Sequence, residues 1–447
     1  MNKKWVRALL IIAGLIIAAM VVYNIPYVHD RLAWRIEDLR VQIVYYFNPP
    51  DEVVFQPTQK AITPAIANTL RPSATPTATQ TPGPTSAPTI TPTPLPAAVD
   101  LEGDQFYVHQ FERWNYCGPA NLAMALKFWG WKGDRDDIAR AIKPGESDPN
   151  KGFIDQGRTD RNVAPAEMVN YVAGQTEYNI VARHGGDIDL IKRFIAAGFP
   201  VMIEKGYYEK DYSGKIAWLG HYSFVTGYDD SQNSFIYQEA YPQPKTKSGK
   251  NWLVSYDHFV EGWRAFNYLF MVIYPPDREA EVTAILGSWN DNHWANLRAL
   301  EIANREVNEF KDRGDNDEYF AWFNKGTSHT RLLEYEQAAQ AYDQAFAIYA
   351  ALNETDRQRP YRMMWYQEWP YWAYYFTGRY QDVINLANAT LETVEPPTLE
   401  ESIYWKAMAK YALGDSYNAI KDMRYAVYLN KSYLDALTQL QSWGVRP

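Results

Sequence analysis

At 447 residues the chain is too long for one compact core, so two or three folded units are expected. A net charge of −9 argues against a nucleic-acid partner, which would call for a basic face. A single cysteine excludes an intramolecular disulfide and every thiolate-cluster metal site, leaving one thiol to explain.

Lys3, Lys4 and Arg7 precede an uncharged run from Ala8 to Ile25. That length and flank predict a transmembrane anchor over residues 1–27, single-pass, with the N-terminus cytoplasmic. Met20 to Tyr23 offer no small-x-small cleavage site, which fits an uncleaved anchor. The bulk of the chain is then expected at the cell membrane on its extracytoplasmic side. Over residues 28–56, Leu32, Ile36, Leu39, Ile43 and Tyr46 recur at helical spacing. They predict an amphipathic juxtamembrane helix lying on the membrane surface or against the next domain; a short dimerising coil is the alternative. Residues 57–99 read as a stalk, because Arg71–Pro96 holds eight Pro, eight Thr and no aromatic residue. Such a composition cannot build a core and favours extended polyproline-II chain.

A folded unit is expected over 100–276. Pro119, Leu122, Leu126 and Trp129 mark a helix that begins just after Tyr116-Cys117-Gly118. Unpaired N–H groups and the positive dipole end of a helix favour an anionic sulfur there. Gly118-Pro119 is expected to leave room beside that sulfur for a substrate carbonyl. A lone cysteine is also often a small buried hydrophobe, and that alternative stands beside the first. The segment Gly220–Tyr241 alternates and turns at Asp229–Asn233, so it reads as a β-hairpin. His221 on its first strand would then lie opposite the region Glu239–Tyr241 on its second, where Glu239 could orient the imidazole. A thiol, a histidine and an orienting carboxylate are the parts of nucleophilic catalysis. His109, His184, His258, His293 and His329 show no metal-ligand spacing, and no glycine-rich nucleotide fingerprint appears, so no metal and no cofactor is expected.

The run YCGPANLAMAL at Tyr116–Leu126, followed by GHYSFVTGYDD at Gly220–Asp230, resembles the bacteriocin-processing (double-glycine) peptidase-like family of papain-like cysteine peptidases. The similarity covers about residues 104 to 275. It implies an α+β papain-like fold, with Cys117 as nucleophile, His221 as general base and acid, and Glu239 as orienting residue. The family usually has Asp or Asn in that third place. It also has a glutamine shortly before the cysteine whose side chain helps to bind the oxyanion. Gln110 is the candidate here, while Glu112 stands closer in sequence and, when ionised, has no proton to donate.

From residue 277 to 447 helical spacing takes over. Trp322, Gly326, Tyr335, Ala338, Tyr342 and Ala345 form a pattern of large, small and aromatic positions. Tyr374, Gly378, Tyr380 and Val383 repeat part of it, as do Gly414, Ala419 and Ala426. These runs resemble tetratricopeptide repeats, implying an all-α array that binds a protein partner; an array that merely packs on the preceding domain is the alternative. The leading expectation is a membrane-anchored, extracytoplasmic cysteine peptidase that cleaves a peptide or protein substrate through a thioester. A transglutaminase-like acyl transferase and a catalytically inactive protein-binding scaffold are the other candidates.

Overall fold

The computed structural model describes residues 3–47, 54–58, 94–210, 216–242, 247–352 and 359–447. Most of the stalk expected over 57–99 lies outside the described residues. Helix α1 (Lys3–Tyr23) and helix α2 (Pro26–Phe47) come first. Among the described residues no helix is long and apolar enough to cross a membrane, so the transmembrane anchor expected over 1–27 is not found. The physical reason is length. Lys3, Lys4 and Arg7 fall inside α1, and the apolar part from Ala8 to Tyr23 spans about 24 Å, against about 30 Å of hydrocarbon core.

The α+β part contains β1 (Ala98–Asp100), α3 (Cys117–Phe128), α4 (Arg135–Ile142), α5 (Phe153–Gln156) and α6 (Pro165–Gln175). It continues through β2 (Asn179–Arg183), α7 (Ile188–Ala196), β3 (Val201–Lys210), β4 (Ile216–Asp229) and β5 (Ser234–Gln238). β6 (Trp252–Ser255), α8 (Tyr256–Arg264) and β7 (Phe270–Tyr274) complete it. The strands form one antiparallel sheet in the order β2-β7-β3-β4-β5-β6, with β1 added beside the far end of β4. Both faces of the sheet are covered. Val201, Ile203 and Val225 point to a core shared with α7 and α8, and Met202, Tyr222 and Phe224 to one shared with α3, α4 and α6. Double burial explains why the central strands carry apolar residues on both sides rather than a simple in-out alternation.

The remaining chain is helical: α9 (Glu279–Leu286), α10 (Asn292–Glu309), α11 (Asn316–Arg331), α12 (Tyr335–Ala351) and α13 (Met363–Tyr366). α14 (Trp369–Phe376), α15 (Tyr380–Glu392), α16 (Glu400–Ala412), α17 (Ser416–Leu429) and α18 (Leu434–Ser442) follow. At Gly326 the two helices α11 and α12 approach closely. A Cβ at that position would sit 2.7 Å from the Tyr342 ring, so only glycine allows the contact. Gly378 and Gly414 serve a different purpose. They follow the ends of α14 and α16 in left-handed conformation, at φ 74° and 90°, with open space around them. The three glycines aligned in sequence therefore share composition but not one structural role.

The α+β and helical parts share cores across residue 276. Val282, Leu286 and Ile302 pack into the α7 side of the sheet. In the other direction, Trp218 of β4 is 1% exposed and joins Ala265 and Phe266 in the core of α11, α12 and α14. Its indole stacks on Phe266 at 5.8 Å and meets Phe320 at 5.8 Å. This shared core fixes the helices beside the sheet end that carries residues 217–221.

Candidate active site

Cys117 is the first residue of α3, so its sulfur stands where the helix has free N–H groups. Gly118 behind it is buried, and a Cβ there would come within 3.0 Å of Val163. Its small size lets the helix start pack against Val163, rather than clearing space for a substrate. Asn121, one turn later, is fully buried on a helix otherwise lined by Ala and Leu. Its Nδ2 donates to the Cys117 carbonyl at 2.9 Å and to the Tyr222 carbonyl at 3.0 Å. That amide clamps α3 to β4 and brings residue 117 beside residue 221. Sequence reasoning missed Asn121; the available signal was one polar residue inside an apolar helical run.

His221 lies on β4 directly opposite Lys205 on β3 and is 4% exposed. Its Nε2 is 2.6 Å from Glu239 Oε1, just past the end of β5. His221 lines the same cleft as Cys117, which acts with Glu239 to favour the protonated ring. Glu239 is 5% exposed and is held from three sides. Besides His221, the Tyr241 N–H donates to Oε1 at 2.8 Å, and Lys205 Nζ donates to Oε2 at 3.3 Å. Burial works against the charged form of both partners, yet their attraction wins. Burial alone would lower His221, but Glu239 and Cys117 push it up to about 9. Burial alone would raise Glu239, but His221 and Lys205 hold it down to about 2.

The fold therefore places Cys117 and His221 in one cleft, with Glu239 bound to His221. Gln110 joins the same cleft, because its backbone N–H donates to the Ala240 carbonyl at 2.9 Å. Tyr107 Oη, in the same segment, donates to the Glu239 carbonyl at 3.0 Å. The Gln110 Oε1 atom is buried without a hydrogen-bond partner among the described residues. A half-turn of the amide would put the donating Nε2 at that point. Glu112 also lines the cleft, but it is exposed, on a left-handed residue at φ 68°.

The cleft has a volume of about 480 Å³. Glu204 in its wall was not found from sequence, because on its strand it looked like one more alternating residue. It is 3% exposed, and burial, with the Cys117 sulfur adding to it, raises its carboxyl well above the ordinary range. Arg362 and Tyr366, from the helical part, form another portion of the wall. Among the described residues no group of three or more His, Cys, Asp or Glu is placed to hold a metal ion.

Residues 104–271 match the family described as Peptidase_C39 like family. Two solved structures are similar to this part of the chain. One is described as a C39-like peptidase from Bacillus anthracis: 17% identity, 39% of this chain and 96% of that chain covered, TM-score 0.30. The other is Xylellain, a cysteine protease from Xylella fastidiosa: 17% identity, 41% of this chain and 87% of that chain covered, TM-score 0.28. No curated protein matches the sequence.

Proposed function

We propose that the cleft hydrolyses a peptide bond through a thioester on Cys117. The observation that carries this is that Cys117 and His221 line one cleft, with His221 held by Glu239 through a buried 2.6 Å charge-assisted link. Glu239, itself held by Lys205, keeps the His221 ring oriented and charged in the cleft. The sulfur attacks the carbonyl carbon, the C–N bond breaks, and the leaving amine takes the proton from His221. Water then attacks the thioester, giving its proton to His221, and the C–S bond breaks to return the thiolate–imidazolium pair. In both steps the carbonyl oxygen becomes an oxyanion. Gln110 Nε2 and the free N–H groups at the start of α3 are the donors assigned to it. The substrate chain lies between the sheet end and the helical wall of Arg362 and Tyr366. The tetratricopeptide likeness belongs to this proposal. It is supported by the tight α11–α12 approach at Gly326, and the array would hold substrate or partner protein against that wall.

Because the chain has one thiol, iodoacetamide labelling reports on Cys117 alone. Near neutral pH the native protein is expected to label faster than free cysteine, and His221→Ala to slow it. Labelling seen only after denaturation would leave Cys117 as a buried hydrophobe and remove the proposal.

A further inference from the structure

Helix α2 reaches the same cleft. Trp34, Asp38 and Gln42, spaced four residues apart on one helical face, line it together with Cys117 and His221. The helix is docked along that side. Ala33 is 6% exposed, His29 Nε2 lies 2.6 Å from Asp155 on α5, and Glu37 Oε2 lies 3.4 Å from Arg158. Past the helix the chain is pinned again. Phe55, 6% exposed, inserts between Phe346 and Tyr374, with ring centroids 5.0 and 6.1 Å away. Thr58 gives both its N–H and its hydroxyl to Asp382, at 2.9 and 2.6 Å. The segment thus runs from the sheet part to the helical part, with α2 at the cleft.

The face that α2 presents is unexpected. Its apolar stripe, Leu32, Ile36, Leu39, Ile43 and Tyr46, points outward, at 37% to 77% exposure. A helix built into a core buries such a stripe. α2 instead docks through a face held by the partly exposed His29–Asp155 hydrogen bond and Glu37–Arg158 ion pair, and such surface contacts are individually weak. We propose that α2 is a removable cover: an intramolecular occupant of the Cys117 cleft that limits access for a peptide chain until it is displaced. The functional consequence rests on the peptidase proposal, but access to the thiol can be measured without any turnover.

The test uses the full chain and two thiol reagents, small iodoacetamide and a maleimide carried on a bulky polyethylene glycol. Ala33→Arg with Glu37→Arg should undock α2. Polymer labelling is then expected to rise about tenfold over the native chain, as expected for loss of roughly 1.4 kcal/mol of docking. Iodoacetamide labelling should change little, which also shows that the site has stayed folded. Glu37→Arg alone should raise polymer labelling, and adding Arg158→Glu to it should bring the rate back down by restoring the pair. Equal polymer labelling of native chain and undocked variant would overturn the cover. Fast polymer labelling of the undocked variant without peptide hydrolysis would sink the peptidase proposal and leave the cover standing.

Discussion

Gln110→Ala is expected to lower peptide turnover about 100- to 1000-fold, the usual loss when one oxyanion donor is removed. Two residues compete for that role in sequence, and the fold separates them. Gln110 is tied by its main chain to Ala240, one residue past Glu239, so its position follows that of the His221–Glu239 pair. Its amide oxygen is buried without a partner among the described residues, and a half-turn of the amide puts the donating Nε2 at that point. Glu112 is exposed, and its carbonyl accepts from Arg113 at 2.8 Å. Glu112→Gln should therefore leave turnover unchanged. A strong gain on Glu112→Gln would put that carboxylate in the hole and mark the native protein as a weakened enzyme. Iodoacetamide labelling of Gln110→Ala should stay at the native rate, since the amide acts on the oxyanion and not on the sulfur.

Glu239→Gln should move the alkaline limb of activity to lower pH and cost about 3 kcal/mol of stability. The amide can still accept from His221 Nε2, so the ring keeps its place but loses the charge that holds its proton. In the native protein His221 is raised to about 9, above its ordinary 6.5. Its contribution to stability is complete below pH 6.5 and is lost as pH rises through about 9. Glu239, held at about 2, contributes above its ordinary 4.5 and loses that contribution as pH falls through about 2. Activity of the native protein should therefore fall as pH rises through about 9. In Glu239→Gln that fall should come earlier, with thiol labelling reduced but not abolished. An unmoved alkaline limb would show that Glu239 does not act through His221.

The thiol helix and the hairpin were legible because each carries a local signal: a proline in the first turn, and an alternating run broken by Asp and Asn. From that hairpin the proximity of His221 to Glu239 follows by register, and the 2.6 Å contact agrees with it. Strands β2 and β6, of five and four residues at the two edges of the sheet, carry no such local signal. Lys205 and Glu204 were not read as site residues. What distinguishes them is the β3–β4 pairing, which sets Lys205 against His221 and Glu204 against Tyr222, and that pairing is not local in sequence. The stripe on α2 is helical as its spacing predicts, but the spacing leaves open which face docks on the rest of the protein. Spacing shows that an apolar face exists, whereas contacts from Asp155 and Arg158, more than 100 residues away, decide which face docks.

Hydrolysis in water enriched in heavy oxygen is the most direct test of the central claim. The full chain, incubated with a mixture of short peptides, should produce new C-terminal carboxylates carrying one heavy oxygen from the water that cleaves the Cys117 thioester. Cys117→Ser should produce none. Products joined to an added amine, without heavy oxygen, would make the protein an acyl transferase, and no cleavage from either the native or the undocked chain would make the site inactive.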